Sequence, residues 1–148
     1  MAGYTIPKDT TNYFGYNSPG IGAVGSYQVS GYPFLTGTIN MADTTEEKVS
    51  FPGVTKSITI RNHSPATYLK VHFASDAGGT AAVIGAHHYI TVSGSAAKSD
   101  GEETLNVKCN EIYLTNDCGT PLTYELHAEI TTIAVSEMFE LTGSGISA

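Results

Sequence analysis

The stretch LTYELHAEI, Leu122 to Ile130, alternates without a break. Leu122, Tyr124, Leu126, Ala128 and Ile130 fall on one side, and Thr123, Glu125, His127 and Glu129 on the other. Side chains of an extended strand point to opposite faces in turn, so this period of two describes a strand with one apolar face. A helix of these residues would split its apolar groups between two opposite sides.

The same period recurs upstream. KSITIRN puts Ile58 and Ile60 against Thr59 and Arg61, and YLKVHFAS gathers Leu69, Val71 and Phe73 away from Lys70 and His72. ETLNVKC aligns Leu105, Val107 and Cys109, whereas EIYLT uses the even positions Ile112 and Leu114. The parity therefore flips near Asn110, and a β-bulge there would restore the inward face. FLTGTI, EEKVSF and HHYITV bring the total to about eight strands. Between most of them lie turn formers: FPGV, NHSPAT, SDAGG, SGSAAKSDG and NDCGTP. The pattern predicts an all-β chain, an antiparallel β-sandwich with the jelly roll as one arrangement of it. A hairpin of 103–115 with 121–131 across NDCGTP is the expected final pairing.

Three zones follow: an extended Gly/Tyr-rich arm over 1–33, the sandwich over 34–134, and a short C-terminal tail over 135–148. At 148 residues, 41% of them apolar, the chain suits one domain with a real core. Charged residues make up only 14%, against roughly 25% in ordinary globular domains. The net charge of −7 and the scattering of Lys8, Lys48, Lys56, Arg61, Lys70, Lys98 and Lys108 exclude a basic nucleic-acid surface. No window is apolar enough to span a membrane. The opening MAGYTIPKDTT has no secretory pattern, which points to synthesis in a cytoplasm. The composition is nevertheless that of an extracellular or particle-borne protein.

Catalytic and metal patterns are weak. His87 and His88 are adjacent, so on a strand they face apart; His72 and His127 could meet only on neighbouring strands. Carboxylates in TTEEK, SDGEET and TND suit turns, and a calcium loop around Asp76, Asp100 or Asp117 lacks the EF-hand spacing. GIGAVG at 20–25 has neither the strand before it nor the helix after it that a dinucleotide loop requires. No GxSxG elbow occurs. These readings imply no enzyme and no cofactor. Cys109 and Cys118 could form a bridge, or stand as one semi-buried and one loop thiol, as cytoplasmic synthesis favours.

Residues 11–42 contain no charged side chain at all. Such a stretch is costly to order alone and adhesive if exposed. Tyr13, Phe14, Tyr16, Tyr27 and Tyr32, with Met138, Phe139 and Leu141 at the other end, are therefore candidate interface residues. Tyrosine suits that role, since it buries a large ring and keeps a hydroxyl for a partner. Both ends wrapping the chain's own sandwich is the alternative.

The strings SGYPFLTGT, VSFPGVTKSITIRN, LKVHFAS, HHYITV, LNVKCNEIYLTN and MFELTGSGI resemble small virion structural proteins of tailed phages, marine ones especially, that decorate or cement the capsid. The resemblance implies a β-rich protein made in the host cytoplasm and carried on the virion. It would clamp across junctions of the major capsid protein or other virion subunits, as a homo-oligomer, often a trimer, with no catalytic residue. The competing class is a receptor- or glycan-binding β-sandwich on a virion or cell surface, although the chain has no Trp to stack on a sugar.

Overall fold

The computed structural model describes residues 20–22, 24, 30–76, 83–95 and 101–139. Eight strands form: β1 (Tyr32–Met41), β2 (Thr45–Ser50), β3 (Thr55–Asn62), β4 (Tyr68–His72), β5 (Ile90–Ser93), β6 (Glu102–Leu105), β7 (Glu111–Asn116) and β8 (Leu122–Ile130). A single 3₁₀ turn at Val135–Glu137 follows. The strands build two four-stranded antiparallel sheets, ordered β1-β8-β3-β6 and β2-β7-β4-β5. The ladders β1·β8, β2·β7, β3·β6 and β4·β5 describe a chain doubled back at its middle and then wrapped into two layers. That is the topology of a jelly roll.

Alternation decides what lies between the layers. In β8, Leu122, Tyr124, Leu126, Ala128 and Ile130 are buried while Glu125 and His127 are exposed. Ile58 and Ile60 of β3 join them from the same sheet, and Val49, Leu69, Val71, Val92, Ile112 and Leu114 face them from the other. Burying one such aliphatic side chain contributes about 1.5–3 kcal/mol, so this layer supplies the main driving force. Phe34 meets Phe51 edge-on, with ring centroids 5.3 Å apart.

Two sequence expectations are corrected by the strand order. The 103–115/121–131 hairpin does not form, because β7 and β8 belong to opposite sheets. NDCGTP is instead an arch that carries the chain across the sandwich, with Gly119 at φ +81°. The parity flip at Asn110 is likewise not a bulge within one strand. β6 lies in one sheet and β7 in the other, so the chain changes sheet there and the inward face changes with it. Thr55 pins this crossing: its Oγ1 donates to Val107 O (2.7 Å) and accepts from Cys109 N (3.0 Å). The alternation did not reveal two register irregularities, one in β3 between Thr55 and Ser57 and one in β1 between Thr38 and Met41, where Asn40 adopts φ +57°.

The body takes in Tyr32 and Pro33 from the arm zone and extends to Ile133, which is buried and accepts a backbone bond from Val54. Residues 21, 22 and 24 of GIGAVG lie in a turn. Ile21 O accepts a hydrogen bond from Lys108 Nζ at 2.9 Å, so the chain touches its own sandwich at that point.

Candidate functional site

The outer face of the β1-β8-β3-β6 sheet is the first candidate. Strand register sets Leu35, His127, Thr59 and Thr104 in one cross-strand row, and Gly37, Glu125, Arg61 and Glu102 in the next. The rows floor an open groove of about 600 Å3. Arg61 Nη1 donates to Glu125 Oε1 at 3.1 Å, and its Nη2 donates to Glu102 Oε2. His63 Nε2 lies 3.2 Å from Glu125 Oε2, which extends the network. One guanidinium thus engages both carboxylates, and the exposed His127 lies on the same lining. Among the described residues its lining contains no serine or cysteine for nucleophilic chemistry and no aromatic ring for stacking on a sugar.

Beside the groove runs β1, the edge strand of its sheet among the described residues. Its side chains at Tyr32, Leu35 and Ile39 are 64%, 75% and 80% exposed. Glu47 of β2 ties this edge to the opposite sheet, because its Oε2 accepts from Thr38 Oγ1 (2.8 Å) and Tyr124 Oη (2.7 Å). Burial pushes the Tyr124 phenol well above its ordinary pKa, and the bond to Glu47 adds to that.

The outer face of the other sheet is polar yet largely covered. His72 belongs to the polar side of β4, where alternation places it in solvent, but it is fully buried. Its Nδ1 bonds Ala74 O at 2.7 Å and its Nε2 bonds Thr115 Oγ1 at 2.8 Å, while its ring stacks on Tyr113. Glu46 accepts from Ser75 Oγ (2.6 Å) and Asp76 N (2.8 Å), and Asp76 Oδ1 accepts from Val83 N (3.0 Å) and Ile84 N (3.3 Å). At His72 the chain after β4 turns back so that Ala74 O caps the ring. Lys70 Nζ donates to Asp117 Oδ2 at 2.5 Å and sits 4.9 Å from the Tyr89 ring centroid. Burial works to lower the Lys70 pKa, but Asp117 outweighs it and the ammonium is held above its ordinary value. His72 and His127 lie on different sheets and do not meet. Among the described residues no three His, Cys, Asp or Glu side chains are grouped as metal ligands.

Of the candidate interface residues, Tyr32 opens β1, Met138 is half-buried and Phe139 is 57% exposed. Tyr13, Phe14, Tyr16, Tyr27 and Leu141 lie outside the described residues, as does Asp100. Leu35 and Ile39, the most exposed large apolar side chains of β1, were not singled out from the sequence; the absence of charge from Thr11 to Ala42 was the signal that covers them. Cys109 and Cys118 are both free thiols. Burial pushes the Cys109 thiol up to about 11, against the opposing effect of its hydrogen bond with Thr55. Cys118 sits in the arch, where its Sγ donates to Asn116 Oδ1 at 2.9 Å.

Among the described residues no helix is long and apolar enough to cross a membrane. Comparison of the chain with protein-family models, with curated proteins and with solved structures finds no match.

Proposed function

We propose that this protein is a structural component of a tailed-phage virion, a decoration or cement protein that binds across junctions of the major capsid protein as a homo-oligomer. The observation that carries the reading is the uncharged run that leads into β1, whose Leu35 and Ile39 stand in solvent. A protein so poor in charge, with an apolar edge exposed, is built to be covered by other protein. An interface of roughly 1,200–2,000 Å2 is enough for stable attachment. Several such contacts per oligomer would multiply the hold without any new chemistry. Jelly rolls serve in both viral shells and lectins, so the fold is support by analogy only. The lectin-like alternative needs an aromatic platform, and the open groove has none in its lining.

The test is made on virions from the phage that encodes the chain. Quantitative mass spectrometry of purified particles is expected to find it in a fixed ratio to the major capsid protein. Particles lacking it should release DNA at a lower temperature, and adding the purified protein back should restore the loss. Its absence from particles, or equal robustness without it, overturns the reading.

A further inference from the structure

The two sheets have four edges: β1 and β6 in one, β2 and β5 in the other. Three are blunted by the means natural sheets use against edge-to-edge pairing, namely shortness and charge. β6 has four residues and begins with exposed Glu102 and Glu103. β2 carries Glu46, Glu47 and Lys48 among its six. β5 has four residues. β1 has neither safeguard: it has ten residues and no charged side chain, and Leu35 and Ile39 are exposed, whereas β5, also uncharged, has only four residues.

We propose that β1 pairs antiparallel with the β1 of a second copy about a twofold axis, joining two β1-β8-β3-β6 sheets into one eight-stranded sheet. This goes beyond the capsid reading and stands without it.

Charge selects the occupant. Each copy carries −7, so two copies repel wherever their carboxylates approach. Residues 10–42 hold none of the charged side chains, which makes β1 the place where two copies meet at least Coulomb cost. The nearest carboxylates on β8 already have cations: Glu125 has Arg61, and Glu129 has Lys56 at 3.6 Å.

Shape selects the register. Pro33 lacks an N–H and limits pairing at one end, and the irregularity after Thr38 limits it at the other. The segment between them, Phe34 to Thr38, is centred on Thr36. A twofold axis at Thr36 sets Leu35 of each copy beside Gly37 of the other, on the outer face. Gly37 is pressed against β8 so closely that a Cβ would lie 2.5 Å from Tyr124 O. The residue therefore stays bare, and its bareness leaves the space that the incoming Leu35 fills. Pro33 of one copy then flanks Ile39 of the other.

The experiment is light scattering on the intact protein across a concentration range. The expected mass is twice the 15.6 kDa chain. Leu35→Lys and Ile39→Lys alter exposed side chains, so circular dichroism should be unchanged, while self-association weakens by roughly 30-fold or more, as when a central interface anchor is lost. Ile90→Lys on β5 is the matched control and should leave the dimer intact. Thr36→Cys in a Cys118→Ser background should cross-link two chains on oxidation, since Thr36 faces itself across the axis. A monomer at all concentrations, a trimer, or a dimer unmoved by the β1 variants overturns the pairing. A monomer would remove self-association in solution from the capsid reading, but the protein's place on the virion is judged separately by the virion experiment.

Discussion

Asn116 Nδ2 donates to the carbonyl oxygen of Met41 at 2.9 Å, a bond that passes from the end of β7 in one sheet to the end of β1 in the other. The same nitrogen donates to Thr120 O at 2.9 Å, and Oδ1 accepts from Cys118 N at 3.2 Å. The residue is fully buried, so one amide holds the arch that replaces a hairpin.

Replacing Asn116 with Ala should therefore destabilise the fold by about 2–4 kcal/mol, because it strands buried carbonyls as well as removing bonds. Urea denaturation measures it. A cost below about 0.5 kcal/mol, the level of an ordinary surface change, would show that the arch is held by something else.

Gly94 is a second point without slack. A Cβ there would lie 1.8 Å from Ser64 O, which is backbone and cannot swing aside. Gly94→Ala is expected to cost about 2–3 kcal/mol and to lower Tm by roughly 5–10 °C. Gly119→Ala probes a different cause: nothing lies within 4 Å, but φ is +81°, so its cost is the left-handed backbone alone, about 1 kcal/mol. Thermal melts of the two variants should rank in that order.

Stability should decline on the alkaline side. The folded state holds the Cys109 proton up to about pH 11, whereas the unfolded thiol releases it near 9. Between those values the folded chain binds more protons than the unfolded chain, so stability is complete below the lower value and falls as pH rises. A shift of this size corresponds to about 2–3 kcal/mol. Lys70 and Tyr124, both raised, act in the same direction at higher pH. Urea midpoints at pH 8 and pH 10 should differ less in Cys109→Ala than in the parent. An equal difference in both would remove the thiol as the cause.

Asp76 secures the connection between β4 and β5 by accepting from the Val83 and Ile84 amides. Asp76→Ala should speed hydrogen exchange at those two amides while leaving the amides of β8 unchanged. Unchanged protection at both, by NMR exchange, would assign the hold on this connection to other contacts.

The strands were legible in the sequence because a period of two shows which side chains share a face. It does not show which sheet a strand joins. Leu122 to Ile130 alternates identically whether it pairs with β7 or with β1 and β3, and NDCGTP has the composition of a hairpin turn and of an arch alike. The flip at Asn110 was visible, but its cause, a change of sheet, lies in contacts distant along the chain. His72 illustrates the same limit: alternation assigns its side of the strand, but not the turn after β4 that caps its ring with Ala74 O. At β1 the lack of charge was plain, whereas the contrast with charged β2 and β6 needed the strand order.

Of the six ladders among the described residues, only β4·β5 joins strands that follow one another in the chain. Tyr32 pairs with Ile130, so β1 finds its partner only when β8, some ninety residues further on, has been made. Such non-local pairing makes a domain fold slowly, in milliseconds to seconds or longer. A nascent chain that has not reached Leu122 lacks the strand that lies between β1 and β3 and cannot complete the β1-β8-β3-β6 sheet. Folding of this sheet therefore waits for β8, and a chain cut short before it is a substrate for chaperones and proteases rather than a shortened version of the domain.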